Sequence, residues 1–114
     1  MIPKRNRLKK KKDFEETFKK GKRLKSEFLE IRIRKVNKKD KKIAFVAPVK
    51  AFKKATERNK MKRKMREAFK GLMKNLDEGI RVIVIAGSGA EKKSIEELEK
   101  AIKKQLVQFK FLKE

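Results

Sequence analysis

The chain contains no cysteine, histidine, tryptophan or tyrosine. Without cysteine, disulfides and thiolate metal sites are excluded. Without histidine, the commonest general base and the commonest metal ligand are both missing. Acids are scarce as well: 15 Asp and Glu stand against 38 Lys and Arg, a formal charge of +23 over 114 residues. No apolar run approaches the roughly 18 residues of a membrane span. The basic amino terminus has no apolar segment behind it and does not read as a secretory signal, so a cytoplasmic protein is the expectation.

What remains is a basic chain of single-domain length. A fold with this charge repels itself, and a polyanion is the simplest offset. Nucleic acid comes first, because each neutralised phosphate releases condensed counterions; an anionic membrane surface comes second. Apolar residues make up 38% of the chain. That is low for a globular protein, but they fall in periodic blocks, which argues for folding.

Residues 1–12, MIPKRNRLKKKK, form a basic arm. It is either a frayed terminus or a segment that orders on a phosphate backbone. DFEETFKKG over 13–21 predicts a short helix, with Asp13 as its cap, Gly21 as its stop, and Phe14 and Phe18 one turn apart. Residues 22–25 read as a short strand. SEFLEIRIRKV over 26–36 alternates, with Leu29, Ile31 and Ile33 on one face and Phe28, Glu30, Arg32 and Arg34 on the other. After the charged turn NKKDKK, IAFVAPV over 43–49 predicts a more buried strand with Pro48 at its end. Met61, Met65, Ala68, Phe69, Leu72 and Leu76 then recur at helical steps, predicting an amphipathic helix over 56–76. Thr56 is its candidate cap, and Asn75, Asp77 and Gly79 close it. IRVIVIA over 80–86 is a further strand. Ser94 and Glu97 form a capping box for a last helix, with Ile95, Leu98, Ile102, Leu106 and Phe109 on its buried face. The order α-β-β-β-α-β-α predicts an α+β sandwich, with helices on a small mixed sheet. The unit 43–86 reads as a parallel βαβ crossover.

The central helix carries the clearest functional pattern. Arg58, Lys62 and Arg66 each advance about 40° around its axis. Asn59, Arg63 and Lys70 widen the same arc into one band beside the apolar stripe. A helix that only needed solubility would mix acids through its outer face; here Glu57 and Glu67 are the only two in residues 55–70. Arginine forks also suit phosphate oxygens and base faces better than lysine does. Phe14 and Phe18 one turn apart more often simply pack their helix onto the sheet, but they can also offer stacking faces to unpaired bases, and both hold if the rings line a groove between helix and sheet. In that case Arg32 and Arg34 lie in the same groove as backbone-facing cations. No catalytic constellation and no metal-ligand cluster stands out.

The segment KATERNKMKRKMRE, Lys54 to Glu67, resembles the signature K-A-x-x-R-N-x-x-K-R-x-x-R-E of the bacterial ribonuclease P protein subunit. The opening RNRLKKKKDFEETFKKG resembles that family's R-L-x-x-x-x-D-F-x-x-V-F-x-x-G, and RVIVIAGSGA follows at the right distance. The resemblance implies a left-handed βαβ crossover, against the usual right-handed rule. It implies a protein that binds a catalytic RNA, as a monomer in the complex and with no membrane role. Together they remove the 5′ leader of precursor tRNA endonucleolytically, the RNA and its Mg²⁺ supplying the chemistry and the protein no catalytic or metal-binding residue. It assigns Lys54, Arg58, Asn59, Lys62, Arg63 and Arg66 to the RNA subunit, and Phe14 and Phe18 to a leader-binding groove, in which Arg32 and Arg34 of the alternating strand and Lys50 are expected beside them. The chain departs from the family at Val49, Ala51 and Lys53, where S-K-K-x-G-K-A is usual, and at Arg32, where an aromatic is common. The alternative is a structural RNA-binding protein of the ribosomal kind with no processing role.

The charge generates a direct prediction. Affinity for RNA should fall with salt at a log–log slope of about −4 to −8, measured by equilibrium titration; a slope near zero contradicts the electrostatic reading.

Overall fold

Period-two and apolar segments become strands, and the three amphipathic segments become helices. The computed structural model describes residues 2–111, in the order α1 (Lys11–Lys20), β1 (Lys22–Lys25), β2 (Leu29–Lys35), β3 (Lys41–Val46), α2 (Ala55–Lys70), β4 (Ile80–Ala86) and α3 (Ile95–Gln108). The four strands form one sheet in the order β1-β2-β4-β3. β2 is antiparallel to both β1 and β4, while β3 runs parallel to β4. The latter two are joined by α2, so the crossover unit is present. No helix among the described residues is long and apolar enough to cross a membrane.

The sheet has two unlike faces. Leu29, Ile31 and Ile33 pair with Ala86, Val84 and Val82. Together with Ile43 they meet Met61, Met65 and Phe69 of α2, and Leu98, Ile102 and Leu106 of α3, in one buried cluster. Phe69 is fully buried and meets Phe45 edge-on at 5.9 Å between ring centroids. On the opposite face α1 lies across β2 and β4.

The ends of several elements differ from expectation, each for a local reason. α1 starts at Lys11, so Asp13 sits inside its first turn and the capping position falls to Lys10, which makes no side-chain cap. α2 starts at Ala55 with Lys54 in the capping position, so Thr56 is not its cap. It ends at Lys70, and a 3-10 turn over Met73–Asn75 carries the chain towards β4. That turn still buries Leu72 and Leu76, which explains why the apolar stripe read as a longer helix. Ser94 and Glu97 form the full capping box of α3. Ile95, expected on the buried face, is 39% exposed as the first residue of α3.

Of the basic arm, Met1 lies outside the described residues. The remainder is held by the protein itself. Ile2 and Leu8 are buried, and the Leu8 amide donates to the Ile43 carbonyl at 2.9 Å. Asn6 Nδ2 donates to the Lys41 carbonyl at 2.9 Å. The arm therefore covers the free edge of β3, where unpaired backbone groups would otherwise invite another chain.

This arrangement separates stability from charge. Phe69→Ala should cost about 3–5 kcal/mol in denaturant unfolding. Arg63→Ala, on the exposed face of α2, should leave the melting temperature unchanged or raise it by relieving repulsion. Unfolding caused by the arginine change would contradict the division.

Candidate nucleic-acid interface

Helix α1 meets the sheet through charge. Its one fully buried side chain is Thr17, whereas Phe14 is half-buried and Phe18 is 41% exposed. The two rings therefore do not pin the helix down. Arg34 and Arg81 are register partners on β2 and β4, and the Asp13 carboxylate accepts from both. Arg34 Nε also donates to Thr17 Oγ1 at 3.2 Å, and its Nη1 lies 3.5 Å from Glu16. Further along β2, Arg32 Nη1 donates to the Phe18 carbonyl, one of the last-turn acceptors a helix leaves unpaired. Three guanidiniums thus hold α1 at its first turn, middle and last turn.

Arg81, which belongs to neither the cationic band nor the alternating strand, is the key to this seam. It is 2% exposed. A charge so buried needs partners, and it has two: Nε bonds Asp13 at 2.9 Å, and Nη1 lies 2.9 Å from Asp40 Oδ1. Asp40 comes from the charged turn between β2 and β3. Burial pushes its carboxyl up, but the hydrogen bond and charge of Arg81, and then Lys42, more than offset this and hold it below the ordinary aspartate value. Gly79 fixes the turn: its amide donates to the Asp40 carbonyl at 3.0 Å. Its φ is +70°, and a Cβ there would sit 2.4 Å from the Lys38 carbonyl. The signal in the sequence was a lone arginine inside an otherwise apolar strand.

Outside the seam is a small platform. The Phe14 and Phe18 rings are stacked at 6.4 Å between centroids and 15° between planes. The Arg32 guanidinium lies over Phe18, 4.5 Å from its centroid. Arg32 Nε donates to Glu30 at 2.7 Å, and Arg23 Nε donates to the other Glu30 oxygen at 2.9 Å. Burial raises Glu30, but Arg32 and then Arg23 bring it below the ordinary glutamate range. Register places Ala44, Val46 and Ile85 on the same sheet face, each partly exposed. The structure thus brings Phe14, Phe18 and Arg32 together. Arg34 shares the face but is taken up by Asp13, Glu16 and Thr17, so it fastens α1 rather than standing free for a phosphate. Lys50 is exposed in the turn after β3 and shares no hydrogen bond with the platform among the described residues.

The second surface is α2. Asn59, Arg63 and Arg66 are exposed and Lys62 is half-buried. Among the described residues none of these three cations enters an ion pair. Lys54 is exposed at the start of the helix. Arg58 is turned inward, donating from Nη1 to the Phe52 and Lys53 carbonyls, both at 2.9 Å. It clamps the preceding loop to the helix, so its loss carries a structural cost as well. Arg66 borders a shallow cleft of about 190 Å³ with Arg7, Lys9 and the Phe45 ring. The cations of the arm and of α2 therefore form one continuous patch, a junction the linear sequence did not show.

A helix face of unpaired cations, with an arginine-and-ring platform on the far side of the sheet, defines an RNA-binding protein on an α+β sandwich. Known proteins narrow the class. The family model Ribonuclease P matches residues 2–110. The ribonuclease P protein component of Pseudanabaena sp. (strain PCC 6903) is 32% identical over 113 residues, 98% of this chain and 97% of the relative. The RNase P protein of Thermotoga maritima superposes with a TM-score of 0.71 at 28% identity, over 92% of this chain and 94% of that one. The Staphylococcus aureus RNase P protein shares the fold with a TM-score of 0.79 at 24% identity, over 95% and 98% of the two chains. The chain belongs to the ribonuclease P protein family.

The clasp and its neighbours predict an acid limit to stability. Asp40, Glu30 and Glu97 all titrate below their ordinary values of 3.8, 4.5 and 4.5; for Glu97 the main cause is the Ser94 amide hydrogen bond. Their folded values lie below their unfolded ones. Their stabilisation is therefore present above the unfolded values and is lost as pH falls through the folded ones. At constant ionic strength the melting temperature should hold near neutrality and drop below about pH 4. Asp40→Asn should flatten part of that drop, and an unchanged acid limb in this variant would exclude Asp40 as a contributor.

Proposed function

We propose that the chain is the protein subunit of a ribonucleoprotein that removes the 5′ leader from precursor tRNA. The observation that carries this reading is the unpaired cationic face of α2, displayed within the family signature over Lys54–Glu67. Lys62, Arg63, Arg66 and Asn59 face the RNA subunit, with Lys54 at the helix start. Arg7 and Lys9 extend that contact, and Arg58 supports it from behind. Phe14, Phe18 and Arg32 receive unpaired leader bases across the open sheet face, where stacking tolerates varied sequence. Lys50 serves the leader backbone from the neighbouring turn, and Arg34 holds α1 in place. One copy acts per RNA, and the assembly works in the cytoplasm.

Bond cleavage is assigned to the RNA. The Mg²⁺ that the assembly implies is assigned to the RNA and its phosphates, which suit a hard, largely hydrated cation. The carboxylates of the described sites are committed to arginines. The protein contributes charge neutralisation and substrate positioning. Family membership favours this over a ribosomal-type structural protein.

Two measurements separate the surfaces. Arg63→Ala or Arg66→Ala should weaken binding to the catalytic RNA by about 1–3 kcal/mol, through lost charge-assisted phosphate contacts. Phe18→Leu should weaken the assembled complex towards leader-bearing tRNA by about 1–3 kcal/mol while hardly changing its affinity for mature tRNA. Equal losses for both tRNAs would reject the leader assignment. An assembly with no gain over the RNA alone would reject the proposed function.

A further inference from the structure

A helix of ten residues on a sheet face is ordinarily fixed by an apolar stripe. α1 has Thr17 as its only fully buried side chain. Its orientation is set instead by directional bonds to Arg32, Arg34 and Arg81. Arg32 and Arg34 are partly exposed; Arg81 is 2% exposed. The buried fork can reach only where its partners stand, so it fixes Asp13, and with it the first turn of α1, relative to the rigid central strand. Phe14 is the next residue along, and Phe18 stacks on it. Asp40 holds the same guanidinium from the other side, 2.9 Å from Nη1. Arg81 makes the two contacts from separate nitrogens of a planar fork, whereas a lysine presents all its donors from one nitrogen on a flexible stem.

We propose that Arg81 is a positioning residue for the leader platform, acting through Asp13. This rests on the leader reading above. It assigns a functional consequence to a side chain that touches no RNA. The ion pair converts the rigidity of β4 into a fixed direction for the two rings. When it is broken, α1 stays tethered by Arg34 and Arg32, but the rings no longer hold one orientation. The protein still folds and still binds the RNA subunit, because α2 packs on the opposite face of the sheet.

The test uses the full chain assembled with catalytic RNA. Asp13→Asn removes the charge but keeps the size, and Glu96→Gln, an exposed acid on α3, controls for the change in net charge. Two quantities are read: hydrogen exchange of amides 11–20 against those of α2 and β4, and the ratio of affinities for leader-bearing and mature tRNA. Asp13→Asn should speed exchange in α1 alone and lower the ratio about fivefold, with catalytic-RNA affinity matching the Glu96→Gln control. Combined with Phe18→Leu it should add little to the loss from Phe18→Leu, since both act through one platform. Arg81→Lys should reproduce the Asp13→Asn loss despite retaining the charge. Unchanged α1 exchange in Asp13→Asn overturns the clasp alone. Altered exchange with an unchanged ratio, or fully additive losses in the double variant, overturns the positioning role. If Phe18→Leu itself leaves the ratio unchanged, the leader reading fails and the positioning role with it, whatever the exchange data show.

Discussion

The buried guanidinium of Arg81 organises the side of the molecule that faces away from the main core. Desolvating such a charge costs several kcal/mol, and the cost is tolerated only when geometry and counter-charges are good. Here two carboxylates meet it, Asp13 from the first turn of α1 and Asp40 from the turn between β2 and β3. Each partner is consequently fixed in space by the central strand. The helix could not be moved or the turn reshaped without leaving a buried cation short of a partner.

This has a particular meaning in a chain with a net charge of +23. Acids are few, and the sheet face beneath α1 uses several of them. Asp13, Glu16, Glu30 and Asp40 neutralise arginines on that face. Among the described residues Lys62, Arg63 and Arg66 on the band of α2 receive no such neutralisation. The protein therefore keeps its arginines in two states. Those under α1 are paired and define shape; on α2, Arg63 and Arg66 enter no ion pair among the described residues and keep their charge exposed, while Arg58 is turned inward onto the Phe52 and Lys53 carbonyls. Arg32 is intermediate, bonded to Glu30 and the Phe18 carbonyl while lying over the Phe18 ring. A guanidinium there gives the ring a planar, polar cover.

The α1 and α2 surfaces occupy opposite sides of the sheet, and their stability has different sources. α2 rests on a fully buried apolar cluster, so the cations on its outer face, Lys62, Arg63 and Arg66, are not part of what holds it. α1 rests on polar bonds, so its rings depend on charge for their direction. The amino-terminal arm links the regions: it runs along the edge of β3, brings Arg7 and Lys9 towards Arg66, and then leads directly into α1.

Much of this was legible in the sequence because it depends on local periodicity. Alternation in LEIRIRK placed Arg32 and Arg34 on one face, and the step of three and four residues placed Met61, Met65 and Phe69 under a cationic band. The capping box at Ser94 and Glu97 marked the start of α3, and Lys54 to Glu67 carried the family. Other features depend on which distant residues meet, and no local pattern encodes that. Asp13 read as a helix cap because its partner Arg81 is 68 residues away. Phe14 and Phe18, whose spacing more often means core packing, lie partly exposed because the sheet presents polar residues beneath α1. Arg34 and Arg58 counted as free cations until Asp13 and the Phe52 and Lys53 carbonyls were found beside them. The sequence by itself determined the elements, their buried faces and the excess of positive charge, since these follow from spacing and composition. Only the tertiary structure decided which arginines are neutralised and which remain free, because pairing needs a few ångströms of proximity that register and packing alone create.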